Sequence, residues 1–157
     1  MHGKDSFRTF STIEETLEFA ISMEEASYRF YTEWAGKAGN KAISDVFREF
    51  AAEELKHRKL IEDVRAGKKE LKARHDVEDL KLADRYVKPR MSDSMSYQDA
   101  LLVAIDREVA AIALYGHLTA FCVEEELCAL FDALADEEKK HKLKLETIYD
   151  DNFMRED

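Results

Sequence analysis

Two short stretches of the chain, Glu54-Leu55-Lys56-His57 and Glu138-Lys139-Lys140-His141, place a glutamate three residues before a histidine. On a helix this interval sets both side chains on one face, about one turn apart, where carboxylate and imidazole can converge on a single metal ion. One such match says little in a chain with 37% charged residues, because solvated helix faces produce it by accident. Two matches at equivalent places in a repeat say more. Displacing the sequence by 84 residues lays 12–66 over 96–150 without a gap. Thirteen of 55 positions are then identical, among them Glu24/Glu108, Tyr31/Tyr115, Phe47/Phe131, Glu53/Glu137, Glu54/Glu138 and His57/His141. The overall similarity is low, but it retains the residues able to do chemistry.

An apolar stripe precedes each motif, Phe47, Phe50 and Ala51 in one half and Phe131, Leu134 and Ala135 in the other, and it points the motifs inward. The partner helices each add one carboxylate, Glu24 and Glu108. Leu101, Ile105, Ile112 and Tyr115 lie one or two turns from Glu108 on its own face, so it has apolar surroundings. A carboxylate buried there without a partner is costly and tends to protonate, and a bound cation removes that cost. The repeat selects Glu24 over Glu25, and the histidine spacing selects Glu54 over Glu53. Glu25, Glu53 and Glu137 are read as surface residues or as outer neighbours of the site.

These residues need long helices to position them. Five glycines and one proline in 157 residues leave too little turn punctuation for a fold of many short strands. Thr12 with Glu15 forms a capping-box pattern, and Ser96 with Asp99 is its weaker echo. Leu17, Ala20, Ile21, Tyr28 and Tyr31 recur at helical steps. Gly36 and Gly39 end that helix, and Asn40 caps a second through Val46, Phe47, Phe50, Ala51, Leu55 and Ile61 to Gly67. A third helix is predicted from about Tyr97 to Cys122, and a fourth from about Glu124 to Asp150. Between the hairpins 12–66 and 96–150 lies the charged crossover 67–95 with the only proline, Pro89. Its Val77, Leu80, Ala83 and Val87 suit either a short amphipathic helix or a solvated connection. Two antiparallel hairpins and one long crossover describe an all-α, ferritin-like four-helix bundle forming a single domain over 1–157.

One glutamate from each of two helices plus Glu-x-x-His from each of the other two is the ligand set of di-iron and di-manganese carboxylate proteins. On these residues the sequence resembles the rubrerythrin-like branch of the ferritin-like superfamily. The resemblance spans both hairpins and implies a metal centre of Glu24, Glu54, His57, Glu108, Glu138 and His141. It makes Glu54 and Glu138 bridges between two ions, with Glu24, His57, Glu108 and His141 as terminal ligands. It also implies that Tyr31 and Tyr115 hydrogen-bond ligand carboxylates, with plain core packing as the competing account. The implied cofactor is two iron ions, with manganese or zinc able to occupy the same oxygen and nitrogen donors.

The implied activity is that of a non-haem di-iron oxidoreductase reducing hydrogen peroxide or dioxygen. Rubrerythrins carry an additional glutamate one turn after the third-helix ligand that swings between the metals. Ala111 stands there in this chain, so the resemblance does not carry the carboxylate swing over. The four-cysteine rubredoxin domain has no counterpart in a sequence with two cysteines, so electrons are expected from an external donor such as a rubredoxin or flavoprotein. The alternative is a ferroxidase or iron-storage role, which normally goes with a cage and a short fifth helix. Residues 151–157 are too few for that helix, and a homodimer is expected. Substrate hydroxylation and purely structural metal binding are further options.

Composition narrows the partners. With 34 acidic against 24 basic residues and a formal charge of −10, the chain lacks the basic face that nucleic acid or an anionic membrane would require. Its longest apolar runs, Ala100–Ile105 and Val109–Tyr115, fall far short of the ~20 residues that span a bilayer. The first residues show no secretory h-region. Cys122 and Cys128 do not match a zinc knuckle, and they are read as buried or half-buried thiols rather than a redox pair. A reducing, cytoplasmic location is expected. Trp34 and the phenylalanines are assigned to the core, and His2, His75 and His117 to the surface.

Overall fold

The computed structural model of the chain describes residues 13–68 and 95–154. Four helices account for nearly all of them: α1 (Ile13–Lys37), α2 (Lys41–Asp63), α3 (Tyr97–Phe121) and α4 (Glu125–Tyr149). Short π-helical turns, Val64–Lys68 and Asp150–Met154, extend α2 and α4. Together they form the expected all-α four-helix bundle.

Local signals set the helix ends. The Asn40 side chain accepts from the Ile43 amide at 3.2 Å, and Ser96 accepts from the Asp99 amide at 3.0 Å, each satisfying an N-terminal N–H that the helix leaves unpaired. Gly39 takes a left-handed φ of 69° between α1 and α2, a conformation that a Cβ would strain. Just past that turn, the buried Ser44 hydroxyl donates to the Ala35 carbonyl at 2.6 Å and ties the start of α2 to the end of α1. The start of α4 has no side-chain cap, but Glu125 and Glu126 in its first turn complement the positive end of the helix dipole. Thr12, and with it the expected capping box, lies outside the described residues, as do His2, His75 and the crossover positions Val77, Leu80, Ala83, Val87 and Pro89.

The apolar stripes close into two clusters. One joins the start of α1 (Leu17, Ala20, Met23), Ile61 and Val64, the end of α3 (Leu114, Leu118, Cys122) and the start of α4 (Leu127, Phe131). The other joins the end of α1 (Phe30, Tyr31, Trp34), the start of α2 (Phe47, Phe50), the start of α3 (Leu101, Ala104) and the end of α4 (Leu145, Ile148). Each cluster thus gathers opposite ends of the two helices within each hairpin, as antiparallel hairpins require. Phe47 and Phe131, equivalent in the repeat, are both fully buried, and each contributes about 2–3 kcal/mol by leaving water. Trp34 is core, as expected, whereas Phe153 is exposed.

The cysteine reading is corrected. Cys122, at the end of α3, and Cys128, in the first turns of α4, form a disulfide, with Cα atoms 5.7 Å apart. Counting along a helix puts residues six apart on different faces. Here a tight loop intervenes and folds α4 back beside the end of α3. With the sulfurs joined, the cysteine count no longer argues for a reducing compartment. No helix among the described residues is long and apolar enough to cross a membrane.

Candidate metal centre

Glu24 comes from α1, Glu54 and His57 from α2, Glu108 from α3, and Glu138 and His141 from α4. All six are buried at the middle of the bundle, between the two apolar clusters. The helix period explains the convergence. Glu54 and His57 continue the face that buries Phe47, Phe50 and Ala51, and Glu138 and His141 continue the face of Phe131, Leu134 and Ala135.

The six residues form two overlapping groups of four. Glu24, Glu54, His57 and Glu138 offer ligand atoms within 4.8 Å of one another, and so do Glu54, Glu108, Glu138 and His141. Glu54 and Glu138 belong to both groups. Nδ1 of His57 lies 3.4 Å from Glu24 Oε2, 3.2 Å from Glu54 Oε1 and 3.7 Å from Glu138 Oε1. Nδ1 of His141 lies 3.4 Å from Glu108 Oε2, 3.3 Å from Glu138 Oε1 and 3.7 Å from Glu54 Oε1. Donors placed ~2.1 Å from a common cation stand roughly 3.0–3.5 Å apart, so these spacings suit a shared ion. The hydrogen-bond accounting agrees. Glu24 Oε1, Glu54 Oε1, His57 Nδ1, Glu108 Oε1, Glu138 Oε1 and His141 Nδ1, one atom from each residue, are buried without a hydrogen bond. Native interiors leave only a few such atoms, and six drawn from one cluster of carboxylates and imidazoles fit a pair of cations.

Without metal the site compensates by holding protons. Burial, with the charges of Glu24 and Glu108, pushes the Glu54 carboxyl up to about 8. Burial and the neighbouring carboxylates Glu108, Glu54 and Glu24 hold Glu138 well above the usual carboxylate range. Burial opposes charge on the imidazoles, but the facing carboxylates outweigh it. Glu24 and Glu54 raise His57 to about 10, and Glu108, Glu54 and Glu53 raise His141 to about 9.

The two tyrosines reach across the bundle. Tyr31 on α1 donates to Glu108 Oε2 on α3 at 2.5 Å, and Tyr115 on α3 donates to Glu24 Oε2 on α1. Each thus holds the glutamate of the opposite helix rather than the one seven residues before it. Burial first, then the adjacent carboxylates, keep both phenols well above their usual range, so they act as neutral donors. Phe50 stacks on the His141 ring, with centroids 3.9 Å apart.

Two further residues lie against the site, one foreseen and one not. Glu53, read as a surface residue or an outer neighbour of the site, is an outer neighbour: it accepts a 2.7 Å hydrogen bond from Nε2 of His141. Its position directly before Glu54 was the available signal, but the hydrogen bond crosses from α2 to α4, and spacing along one helix cannot show that. Arg107, beside Glu108, is buried, donates to Ser27 Oγ at 3.1 Å and lies over the Phe30 ring. Nothing in its sequence neighbourhood marked it. Glu25 pairs with Arg29 and Arg58, and Glu137 with Lys140, as befits the outer faces of the helices. Ala111, where the swinging glutamate would stand, is buried in the apolar cluster.

Comparison with known proteins places this geometry in a family. None of the curated proteins matches the chain. Among solved structures, a Thermotoga maritima protein described as ferritin-like and diiron-carboxylate aligns with a TM-score of 0.71 and 21% identity, covering 90% of this chain and 97% of the other. A hypothetical protein from Pyrococcus furiosus aligns with a TM-score of 0.69 and 25% identity, covering 88% and 89%. The Rubrerythrin family profile matches residues 15–149, which takes in all four helices almost end to end and every residue of the site. The chain belongs to the rubrerythrin family.

Proposed function

We propose that the protein is a non-haem di-iron oxidoreductase that reduces hydrogen peroxide or dioxygen with electrons from a separate donor such as a rubredoxin or flavoprotein. The observation that carries this reading is the set of six buried, unbonded donor atoms, one per residue, arranged as two groups that share Glu54 and Glu138. In this reading Glu24 and His57 would hold one ion and Glu108 and His141 the other, with Glu54 and Glu138 available to both. Two reduced ions held there would supply the two electrons that a two-electron oxidant takes. Oxygen and nitrogen donors suit iron, and manganese or zinc fit the same set.

The chain's own residues set the conditions for that chemistry. Burial at the bundle centre keeps bulk water from the carboxylates, so their charge acts at low dielectric. Tyr31 and Tyr115 fix one oxygen of Glu108 and Glu24, leaving the other oxygen of each free to bind. His57 and His141 turn Nδ1 inward, so each must release the Nδ1 proton before it can ligate. With Ala111 at the position of the family's swinging glutamate, the terminal carboxylates available are Glu24 and Glu108.

Peroxide consumption by iron-loaded protein with a reductant tests the proposal. The expected result is turnover well beyond the iron present, abolished in metal-free protein and with a dimeric mass in solution. A single round of iron oxidation by a shell of ~24 subunits would instead support iron storage. Metal binding without any redox response would reduce the role to a structural one.

A further inference from the structure

We infer that Glu53 makes the two metal positions unequal by fixing the outer nitrogen of His141, while no described residue does the same for His57. The inference rests on the metal reading proposed above and goes beyond it, because the repeat predicts two equivalent halves. His141 Nε2 donates to Glu53 Oε1 at 2.7 Å, so in the neutral, ligating ring the proton stays on Nε2 and Nδ1 is the nitrogen that faces Glu108 and Glu138. His57 turns Nδ1 to Glu24, Glu54 and Glu138 in the same way, yet among the described residues Nε2 has no hydrogen-bonding partner.

The residue equivalent to Glu53 in the repeat is Glu137, and it does not restore the symmetry. Its carboxylate pairs with Lys140 at 3.4 Å on the outer face of α4. Glu53 and Glu137 in fact line the same pocket of about 390 Å³ between α2 and α4, together with Phe50, Lys140, Lys144 and His141. On the other side, Arg58, which follows His57, is engaged by Glu25 of α1. The two histidines therefore sit in different surroundings although the motifs that supply them are alike.

An outer carboxylate on a metal-bound imidazole orients the ring and strengthens its donation, and its loss commonly costs 10–100-fold in metal affinity. The position formed by Glu108 and His141 therefore fills first and holds its ion more tightly. The position formed by Glu24 and His57 fills second and exchanges more readily. Glu53 is a positioning residue in this scheme, acting on the metal through His141.

Anaerobic titration with cobalt(II), followed by its visible absorption, tests the inference. The native protein is expected to bind two ions in two resolved steps. Glu53→Gln should weaken the first step about 10–100-fold and leave the second in place, whereas Glu137→Gln should change neither. Two ions bound with equal affinity in the native protein, a Glu53→Gln titration like the native one, or an equal loss at both steps would overturn the inference and leave the metal reading intact. Native protein that binds one ion or none would overturn the metal reading and the inference with it. A second measurement needs no variant: zinc-loaded protein carrying 15N-labelled histidine should show a single slowly exchanging Nε2–H. Two protected signals, or none, would contradict the asymmetry.

Discussion

Filling the centre with two divalent ions should expel at least three protons at pH 7. In the metal-free site Glu54 sits at about 8, Glu138 well above the usual carboxylate range, His57 at about 10 and His141 at about 9. Glu54, His57 and His141 carry a proton at neutral pH, Glu138 is shifted in the same direction, and each must lose its proton to ligate. Protons leaving as two doubly charged ions enter offset most of the added buried charge, which a low-dielectric interior requires. Calorimetric titration with zinc(II) in two buffers of different ionisation enthalpy measures the number released. The count should be at least three at pH 7 and should fall by about one and a half by pH 9, where Glu54 and half of His141 have already titrated. Affinity should consequently rise steeply between these pH values. Release of less than one proton at pH 7, or a count that grows with pH, would refute the reasoning.

The same groups predict the pH dependence of the metal-free fold. Glu54, His57 and His141 bind protons more tightly in the folded chain than their ordinary values of 4.5 and 6.5. The stability they contribute is complete below those values and is lost as pH rises through about 8, 9 and 10, so thermal melts of metal-free protein should fall from pH 7 to 10 and zinc should abolish the trend. Tyr31→Phe and Tyr115→Phe each leave a buried glutamate oxygen without its donor and should cost about 1–3 kcal/mol in chemical denaturation. Unchanged stability and metal affinity would mean that the phenols only pack. Reducing the Cys122–Cys128 disulfide, which closes a loop with a sequence separation of 6, should cost about 2 kcal/mol. A melting temperature insensitive to dithiothreitol would show that the sulfurs are not joined.

The bundle was legible because its signals are local and repeated. The stripes through Phe47 and Phe131, the caps at Asn40 and Ser96 and the break at Gly39 place the helix ends within one or two residues of where they fall, except that α2 gives way to a π-helical turn after Asp63, ahead of the expected Gly67. The six site residues come together because Glu24/Glu108 and the two Glu-x-x-His motifs occupy matching positions in two similar hairpins. What the sequence hid depends on which helix faces which. Glu53 reaches His141 across α2 and α4, each tyrosine serves the glutamate of the opposite helix, and Cys128 meets Cys122 because α4 folds back beside α3. None of these follows from a spacing along one element. Arg107 was hidden for another reason: a charged side chain buried at a helix interface gives no periodic signal of its own.

Whether these six side chains hold two metal ions is decided by iron analysis of anaerobically Fe(II)-loaded protein, with anomalous diffraction to locate the ions. Two ions per chain are expected, both in contact with Glu54 and Glu138, and no more than one in Glu54→Ala with the helices retained. One ion or none in the native protein, two ions bound elsewhere, or two retained by the variant would contradict it.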